Sequence, residues 1–335
     1  MDEPKDIHNF SSETNPAAKT IDLSTDDDQL HVRLDFKTSV KYFFLRNIVM
    51  CIGKLSAVVP ERWTYRTGVA LAMMVYRRLP RLRKLARKHL EIAFGGEKPP
   101  EEIDEILRLT YVNYGKSFAE FLMVPHKSKE WIESKVVMED PEWYTRTAMN
   151  EGKGVIGLGA HFGSWELVNA RIAIYKYPAV GVVKAQRDTL ISKFIMDTRT
   201  KWGNEYIFRV KGVKEECIKQ LALNKIVGLV ADQNAARNGV FIDFFGKKAA
   251  TFTGPAYFAM KTGAPILASF PYRNPDNTIT LLVQPPLEIR DTGNFEEDLL
   301  YNVQLCATLI EKFVRQHPTE YFWWHKRWKT RPEDE

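Results

Sequence analysis

The sequence predicts an α/β protein with a mainly parallel central sheet flanked by helices. From about residue 150 onward, short runs of β-forming residues alternate with longer helical stretches. Such alternation is typical of units in which a helix connects two parallel strands. The connecting helices then cover both faces of the sheet. With 335 residues, 44% of them hydrophobic, the chain can bury one such core and still carry a helical extension.

The predicted elements of this part follow in order. Strands are expected at 154–160, 179–184, 205–210, 226–231, 265–271 and 279–284. Helices are expected near 164–175, 189–202, 213–223, 253–262 and 296–316. The strand at 154–160 is expected to be the first of the sheet.

Composition divides the chain into three predicted regions, residues 1–35, 36–130 and 131–335. The first 30 residues hold eight acidic and two basic side chains, so the remainder carries a formal charge of +12. Residues 1–35 have no sustained apolar period and no signal-peptide pattern, and they are predicted to be a disordered acidic leader. Three widely separated cysteines, Cys51, Cys217 and Cys306, argue against a disulfide framework and suit a reducing compartment.

Residues 36–130 are predicted to form helices at a membrane surface. Charged residues interrupt every apolar block, and none reaches the roughly 18 apolar residues of a confident spanning helix. From residue 77 to 88, seven Arg and Lys residues are interleaved with apolar residues at helical spacing. A solvated charged face or a nucleic-acid surface would give the same composition, so these alternatives stay open.

The segment His161-Phe162-Gly163-Ser164-Trp165-Glu166 is the strongest candidate for chemistry. It follows the apolar run 155–160, so an imidazole and a carboxylate lie where a buried strand passes into a helix. In one regular helix His161 and Glu166 would lie about 140° apart. If Ser164 caps the helix, Glu166 is in its first turn and can bend back to fix the tautomer of a general base, His161.

Two other interpretations of this segment remain open. A histidine beside an apolar run is often a structural residue, and a glutamate near a helix start favours the helix dipole. A metal site is a weaker alternative, because the sequence has no HExxH, no paired CxxC and no second histidine cluster.

Further polar residues end other predicted strands. Asp232 and Gln233 end the strand at 226–231, so their side chains are expected in the same crevice as His161, where the Asp232 carboxylate can assist the base. Lys184 and Arg187 form a basic turn after the second strand. Neither a GxGxxG nor a Walker sequence indicates a nucleotide site.

Ordered blocks along the chain resemble the bacterial late acyltransferases of lipid A biosynthesis, the lauroyl and myristoyl transferase family. The blocks are 42–46, 86–94, 158–166, 231–233, 239–246, 253–256, 262–265 and 323–332. They cover roughly residues 40–332 and leave only the leader outside. One departure is His89, where many relatives carry Asn.

The resemblance implies a glycerolipid-acyltransferase-like fold and an enzyme that moves a fatty acyl chain from a thioester to a lipid hydroxyl. The donor would be an acyl carrier protein or coenzyme A thioester, with no further cofactor and no metal. His161 would deprotonate the hydroxyl while Glu166 orients the ring, and backbone N–H groups at Gly163 and Ser164 would bind the oxyanion. Another acceptor, such as a phosphatidylinositol mannoside, a lysophospholipid or an amino lipid, stays open, as does a non-catalytic lipid-binding protein.

The resemblance also implies partners and a location. Arg199 resembles a family arginine, and with Lys184 and Arg187 it would bind an anionic glycolipid acceptor, whereas a surface ion pair is the alternative. Phe245 would line an acyl channel or belong to the core. The basic aromatic segment 321–329 would lie at lipid headgroups or pack on the core. The expected location is the cytoplasmic face of the bacterial inner membrane, with no nucleic-acid partner.

Overall fold

The fold is a mixed α/β structure with a mainly parallel sheet flanked by helices, as predicted. The computed structural model describes residues 20–21, 47, 50–140, 144–175, 177–184 and 189–332. Arg187 therefore lies outside the described residues, and so does the predicted leader except for residues 20–21. The strands are β1 Thr20–Ile21, β2 Val136–Glu139, β3 Val155–Gly159, β4 Ala179–Val183, β5 Glu205–Phe208, β6 Ile226–Val230, β7 Val240–Phe244, β8 Lys247–Thr251, β9 Ile266–Arg273 and β10 Ile279–Val283.

Eight of these strands form one sheet in the order β1-β5-β4-β6-β3-β9-β10-β2. Every neighbouring pair is parallel except β9 and β10, which are antiparallel. The six predicted strands correspond to β3, β4, β5, β6, β9 and β10. The strand at 154–160 is not the first of the sheet, because β2 precedes it in the chain and pairs with β10 at the far edge.

Helices cover both faces of the sheet. They are α1 Glu61–Arg78, α2 Pro80–Phe94, α3 Pro100–Met123, α4 Lys129–Lys135, α5 Tyr144–Asn150, α6 Trp165–Ile174, α7 Thr189–Thr200, α8 Val213–Ala222, α9 Gly254–Thr262 and α10 Phe295–Gln316. On β3, Ile156 and Leu158 join the large core with α9 and α10, whereas Val155 faces Ala148 of α5. Alternate residues of one strand thus enter separate cores, as the pleat requires.

The helices α1 and α3 cross at a pair of glycines. A Cβ on Gly115 would lie 2.7 Å from the Gly68 carbonyl oxygen, and one on Gly68 would overlap the Gly115 carbonyl. Two backbones therefore touch without intervening side chains. Across the described part of the chain, no helix combines the length and apolarity that a bilayer crossing requires.

The hairpin of β7 and β8 was not among the predicted strands. Its turn is Phe245-Gly246, and both residues adopt positive φ, 54° and 67°. A left-handed phenylalanine is strained, and its surroundings hold it in place, because the residue is only 6% exposed and its N–H donates to Glu311 at 2.6 Å. Tertiary packing, which the linear pattern does not contain, fixes this hairpin.

We expect Gly115→Ala to lower the free energy of unfolding by about 1–3 kcal/mol, because the added methyl has no space at the α1–α3 crossing. Chemical denaturation measures this difference. Gly96→Ala is the matched control, since a Cβ at residue 96 meets nothing within 4 Å. Equal destabilisation by the two substitutions would contradict close backbone contact at Gly115.

Candidate active site

His161 lies two residues beyond β3, at the carboxyl edge of the sheet. The chain then turns sharply at Gly163, whose φ is +53°, and α6 begins at Trp165. A Cβ on Gly163 would lie 2.9 Å from the Pro271 carbonyl oxygen of β9. The turn that presents His161 therefore needs both the left-handed backbone and the absent side chain of glycine.

Asp232 holds His161 through two hydrogen bonds. The His161 ring donates from Nδ1 to Asp232 Oδ1 at 2.9 Å, and the His161 backbone N–H donates to Asp232 Oδ2 at 3.0 Å. The strands β3 and β6 are parallel neighbours, so residues that follow them meet at one edge. Because the Asp232 carboxylate binds both the backbone and the ring of His161, it fixes the orientation of the imidazole relative to the backbone.

Each partner of this pair shifts the pKa of the other. Burial opposes the imidazolium, but the charge and the hydrogen bond of Asp232 outweigh it, so the pKa of His161 is raised. Burial likewise opposes the carboxylate, yet His161 and, more weakly, Arg327 lower the pKa of Asp232. The Asp232 carboxylate is thus ionised at neutral pH and favours the protonated form of His161.

The second ring nitrogen of His161 contacts a neutral amide. Its Nε2 atom lies 3.2 Å from Gln233 Nε2, and the side chain of His161 is 28% exposed. With the Nδ1 proton donated to Asp232, Nε2 holds a lone pair that accepts a hydrogen bond from the Gln233 amide. A hydroxyl that replaces this amide group would find a base already oriented.

Glu166 does not orient the imidazole, which corrects the prediction from the sequence. Both oxygens of Glu166 accept from Arg199 Nε, at 3.0 and 2.9 Å, and Arg199 Nη2 also contacts the carboxylate. Trp165 Nε1 donates to the same carboxylate at 3.0 Å. Its charge still contributes to the raised pKa of His161, less than Asp232 does. Arg199 is therefore an ion-pair partner within the site.

A row of glycines crosses three neighbouring strands of the sheet. Gly157, Gly228 and Gly181 are in register across β3, β6 and β4. A Cβ on Gly181 would lie 2.9 Å from the Tyr206 ring, so that ring occupies the space beside Gly181. The Arg199 guanidinium lies 5.9 Å from the centre of the same ring. Gly181 thus leaves space for the Tyr206 ring, which lies near Arg199.

The predicted oxyanion donors are only partly available. The N–H of Gly163 donates to the Glu320 carbonyl oxygen at 2.8 Å, so it does not point toward a substrate. The Ser164 hydroxyl is buried and has no hydrogen-bond partner among the described residues. The start of α6 at Trp165 leaves first-turn N–H groups that the helix itself does not use.

The remaining predicted residues lie in different surroundings. Lys184 is exposed directly after β4, beside β5, and Arg187 lies outside the described residues. Phe245 belongs to the core, with its ring centre 5.4 Å from that of Phe94. The part of the chain that the structure describes contains no group of three or more His, Cys, Asp or Glu side chains able to hold a metal ion.

Arg327 is a site residue that the sequence did not single out. It is 2% exposed and donates to the carbonyl oxygens of Gln233, at 3.3 Å, and Ala250, at 2.6 Å, and to the Thr251 hydroxyl. Its charge faces Asp232, so it partly compensates a buried carboxylate. In the sequence it is one of several cations in an aromatic tail, and only its burial separates it from Lys326 and Lys329.

The C-terminal segment packs on the core, which is one of its two predicted positions. Trp323 and Trp328 are 1% and 7% exposed, and the N–H of Phe322 donates to the His161 carbonyl oxygen. Glu320, just before them, is buried against the Gly163 turn, and burial raises its pKa to about 7 although Arg273 opposes the shift. The segment therefore supports the site from behind.

Comparison with known proteins places this chain among acyltransferases. The family model described as bacterial lipid A biosynthesis acyltransferase matches residues 34–330. A lipid A biosynthesis lauroyltransferase of Escherichia coli is 28% identical over 297 residues, which are 84% of this chain and 91% of the relative. A lipid A biosynthesis palmitoleoyltransferase of the same organism is 25% identical over 79% of this chain and 84% of its own length.

A more distant similarity involves a different named acceptor. A phosphatidylinositol mannoside acyltransferase of Mycolicibacterium smegmatis is 23% identical over 171 residues, which are 50% of this chain and 56% of the relative.

Asp232→Asn is expected to lower the pKa of His161, because the neutral amide removes the charge that stabilises the imidazolium. An NMR titration of the imidazole resonances measures the shift. Glu166→Gln is the matched control and is expected to lower the pKa less, since its carboxylate is bonded to Arg199. An unchanged pKa in Asp232→Asn would contradict the observed pairing.

Proposed function

The chain belongs to the bacterial lipid A biosynthesis acyltransferase family, and on that basis we propose that it transfers a fatty acyl chain from a thioester to a hydroxyl of a lipid A precursor. The donor is the thioester of an acyl carrier protein or of coenzyme A. The observation that supports this proposal most directly is the imidazole of His161, which Asp232 orients and whose Nε2 atom is bonded only to the neutral amide of Gln233.

In the proposed mechanism His161 acts as general base. The acceptor hydroxyl displaces the Gln233 amide from Nε2 and gives its proton to this nitrogen while its oxygen attacks the thioester carbonyl carbon. Asp232 stabilises the imidazolium that forms. Collapse of the tetrahedral intermediate breaks the carbon–sulfur bond, and the departing thiolate takes the proton from the imidazolium. Atoms and charges balance without a covalent enzyme intermediate.

The oxyanion of that intermediate needs donors on the other side of the carbonyl. We assign them to the first N–H groups of α6, because Gly163 is already bonded to Glu320 and a helix N-terminus attracts negative charge. The Glu166–Arg199 pair anchors the first turn of this helix. Glu166 is therefore a positioning residue in the proposal, and Arg199 acts through it.

We also propose that α1 and α2 contact the membrane surface from which the lipid acceptor comes. Met74, Leu79 and Leu82 are 53%, 47% and 39% exposed. Exposed cations surround them, namely Arg77, Arg78, Arg81, Lys84 and Lys88. Apolar side chains beside cations are suited to the boundary between acyl chains and anionic headgroups. The cytoplasmic face of the bacterial inner membrane is the proposed location.

His161→Ala is expected to reduce acyl transfer by about 10²–10⁴-fold, the usual contribution of a general base. Transfer of a labelled acyl group to a panel of acceptors, from each thioester in turn, measures the rate. His126→Ala is the control, because that imidazole is exposed in the turn after α3. Normal transfer by His161→Ala would overturn the mechanism.

The acceptor panel separates the alternatives. It includes a lipid A precursor, a phosphatidylinositol mannoside and a lysophospholipid, because one relative is named for the second of these. Preference for another acceptor would replace the lipid A assignment. Lipid binding without transfer to any acceptor would favour a non-catalytic lipid-binding protein.

The double substitution Leu79→Gln/Leu82→Gln is expected to weaken binding to anionic vesicles by about tenfold or more, because each leucine loses apolar contact with the bilayer. Co-sedimentation with vesicles that contain phosphatidylglycerol measures the affinity. Leu223→Gln provides the control, since Leu223 is 59% exposed after α8. Equal vesicle affinity of the double variant and the wild type would contradict a surface contact through α2.

A further inference from the structure

A polar cavity of about 450 Å³ opens between α1, α3 and the loop that joins β9 to β10. Its walls include Arg62 and Tyr65 of α1, Lys116 of α3 and Asn277 of the loop. This volume lies within the usual range of small-molecule sites and exceeds what one phosphate group fills. None of these four residues takes part in the proposed mechanism.

The acidic side chains of the cavity are already satisfied by protein groups. Glu61 pairs with Lys135 at 2.6 Å and accepts from Trp131 Nε1 at 2.9 Å. Asp276 accepts from both the N–H and the hydroxyl of Thr278, at 2.9 and 2.7 Å. Glu61 is therefore already paired with a cation, whereas Asp276 is bonded to neutral groups and keeps its negative charge at the cavity wall.

Two cations of the cavity have no carboxylate partner within the described residues. The Lys116 ammonium donates to Asn277 Oδ1 at 2.6 Å, and an amide oxygen carries no net charge. Burial and the nearby Arg273 charge lower the pKa of Lys116, and they outweigh the opposing charges of Glu120 and Glu320. The Arg62 guanidinium lies 6.0 Å from the centre of the Trp63 ring. Arg62 is exposed, whereas Lys116 is half-buried. A half-buried cation without an ion pair is costly, and a bound anion would relieve this cost at Lys116.

The cavity lies at the same edge of the sheet as His161. Ser117 and Glu120, which follow Lys116 on α3, both accept from Arg273, the last residue of β9. The strand β9 is parallel to β3, and its Pro271 carbonyl packs against Gly163 in the turn that presents His161. If the headgroup of a lipid bound in the cavity, the rest of that lipid could therefore extend toward His161.

We propose that this cavity binds a phosphate-class anion on the headgroup of the glycolipid acceptor, with Lys116 and Arg62 as the cationic contacts. The identity of the acceptor rests on the proposed function. Two cations around one group suit an oxyanion with several acceptor oxygens, and the Asn277 amide can donate a further hydrogen bond. The volume beyond the anion accommodates the sugar that carries it.

Binding of glucosamine 1-phosphate and of inorganic phosphate to the full chain tests the site without turnover. Calorimetric titration is expected to show that Lys116→Met and Arg62→Met each weaken binding of the sugar phosphate by at least tenfold. Lys116→Arg should retain most of the affinity, because it keeps the charge. Lys193→Met is the matched control, since Lys193 is 70% exposed on α7 and pairs with Asp197. Thermal unfolding confirms that each variant is folded.

Three binding results would overturn the assignment. They are the absence of binding to either probe at millimolar concentration, unchanged affinity in a folded Lys116→Met variant, and equal affinity for the two probes, which would indicate a site for free phosphate. In the transfer assay, Lys116→Met is expected to raise KM for the acceptor and not for the donor. Active wild-type protein with an unchanged acceptor KM in this variant would overturn the anion site and leave the proposed function intact.

Discussion

The Asp232 carboxylate is the group on which the arrangement of the site depends. It is 3% exposed, and it binds the backbone and the ring of His161 at once. A carboxylate so deeply buried requires compensating charge and hydrogen bonds. His161 supplies part of this compensation, and Arg327 supplies a further part from the opposite end of the chain. The C-terminal segment must therefore pass beneath the strand ends for the site to form.

The two acidic residues near His161 have separate partners. Asp232 is bonded to the imidazole, whereas Glu166 is bonded to Arg199 and Trp165. The division follows from topology, because β6 lies next to β3 and brings Asp232 to the ring, while the start of α6 directs Glu166 toward α7. One ion pair thus holds the helix and the other holds the base. In the proposed enzyme, both contribute to a single preorganised turn.

The surroundings of this turn suggest how a lipid substrate is brought to it. The exposed leucines and cations of α2 suit a membrane surface, and the polar cavity between α1 and α3 suits a charged headgroup. A close crossing at Gly68 and Gly115 joins α1 to α3, and Arg273 joins α3 to the strand beside β3. The proposed membrane contact, headgroup site and base are thus connected through rigid elements.

The amino-acid pattern by itself determined the fold class, six strands and the position of His161 at a strand end, because hydrophobic periodicity and turn residues are local properties. It also placed Asp232 and Gln233 in the crevice, since parallel strands end at one edge of the sheet. Only the tertiary structure decided which carboxylate binds the ring, because the spacing of His161 and Glu166 allowed both contact and separation. The burial of Arg327, the packing of Phe245 and the cavity at Lys116 likewise depend on contacts between residues distant in sequence. Such contacts arise from the order of the strands and the crossing of the helices, and no linear spacing specifies them.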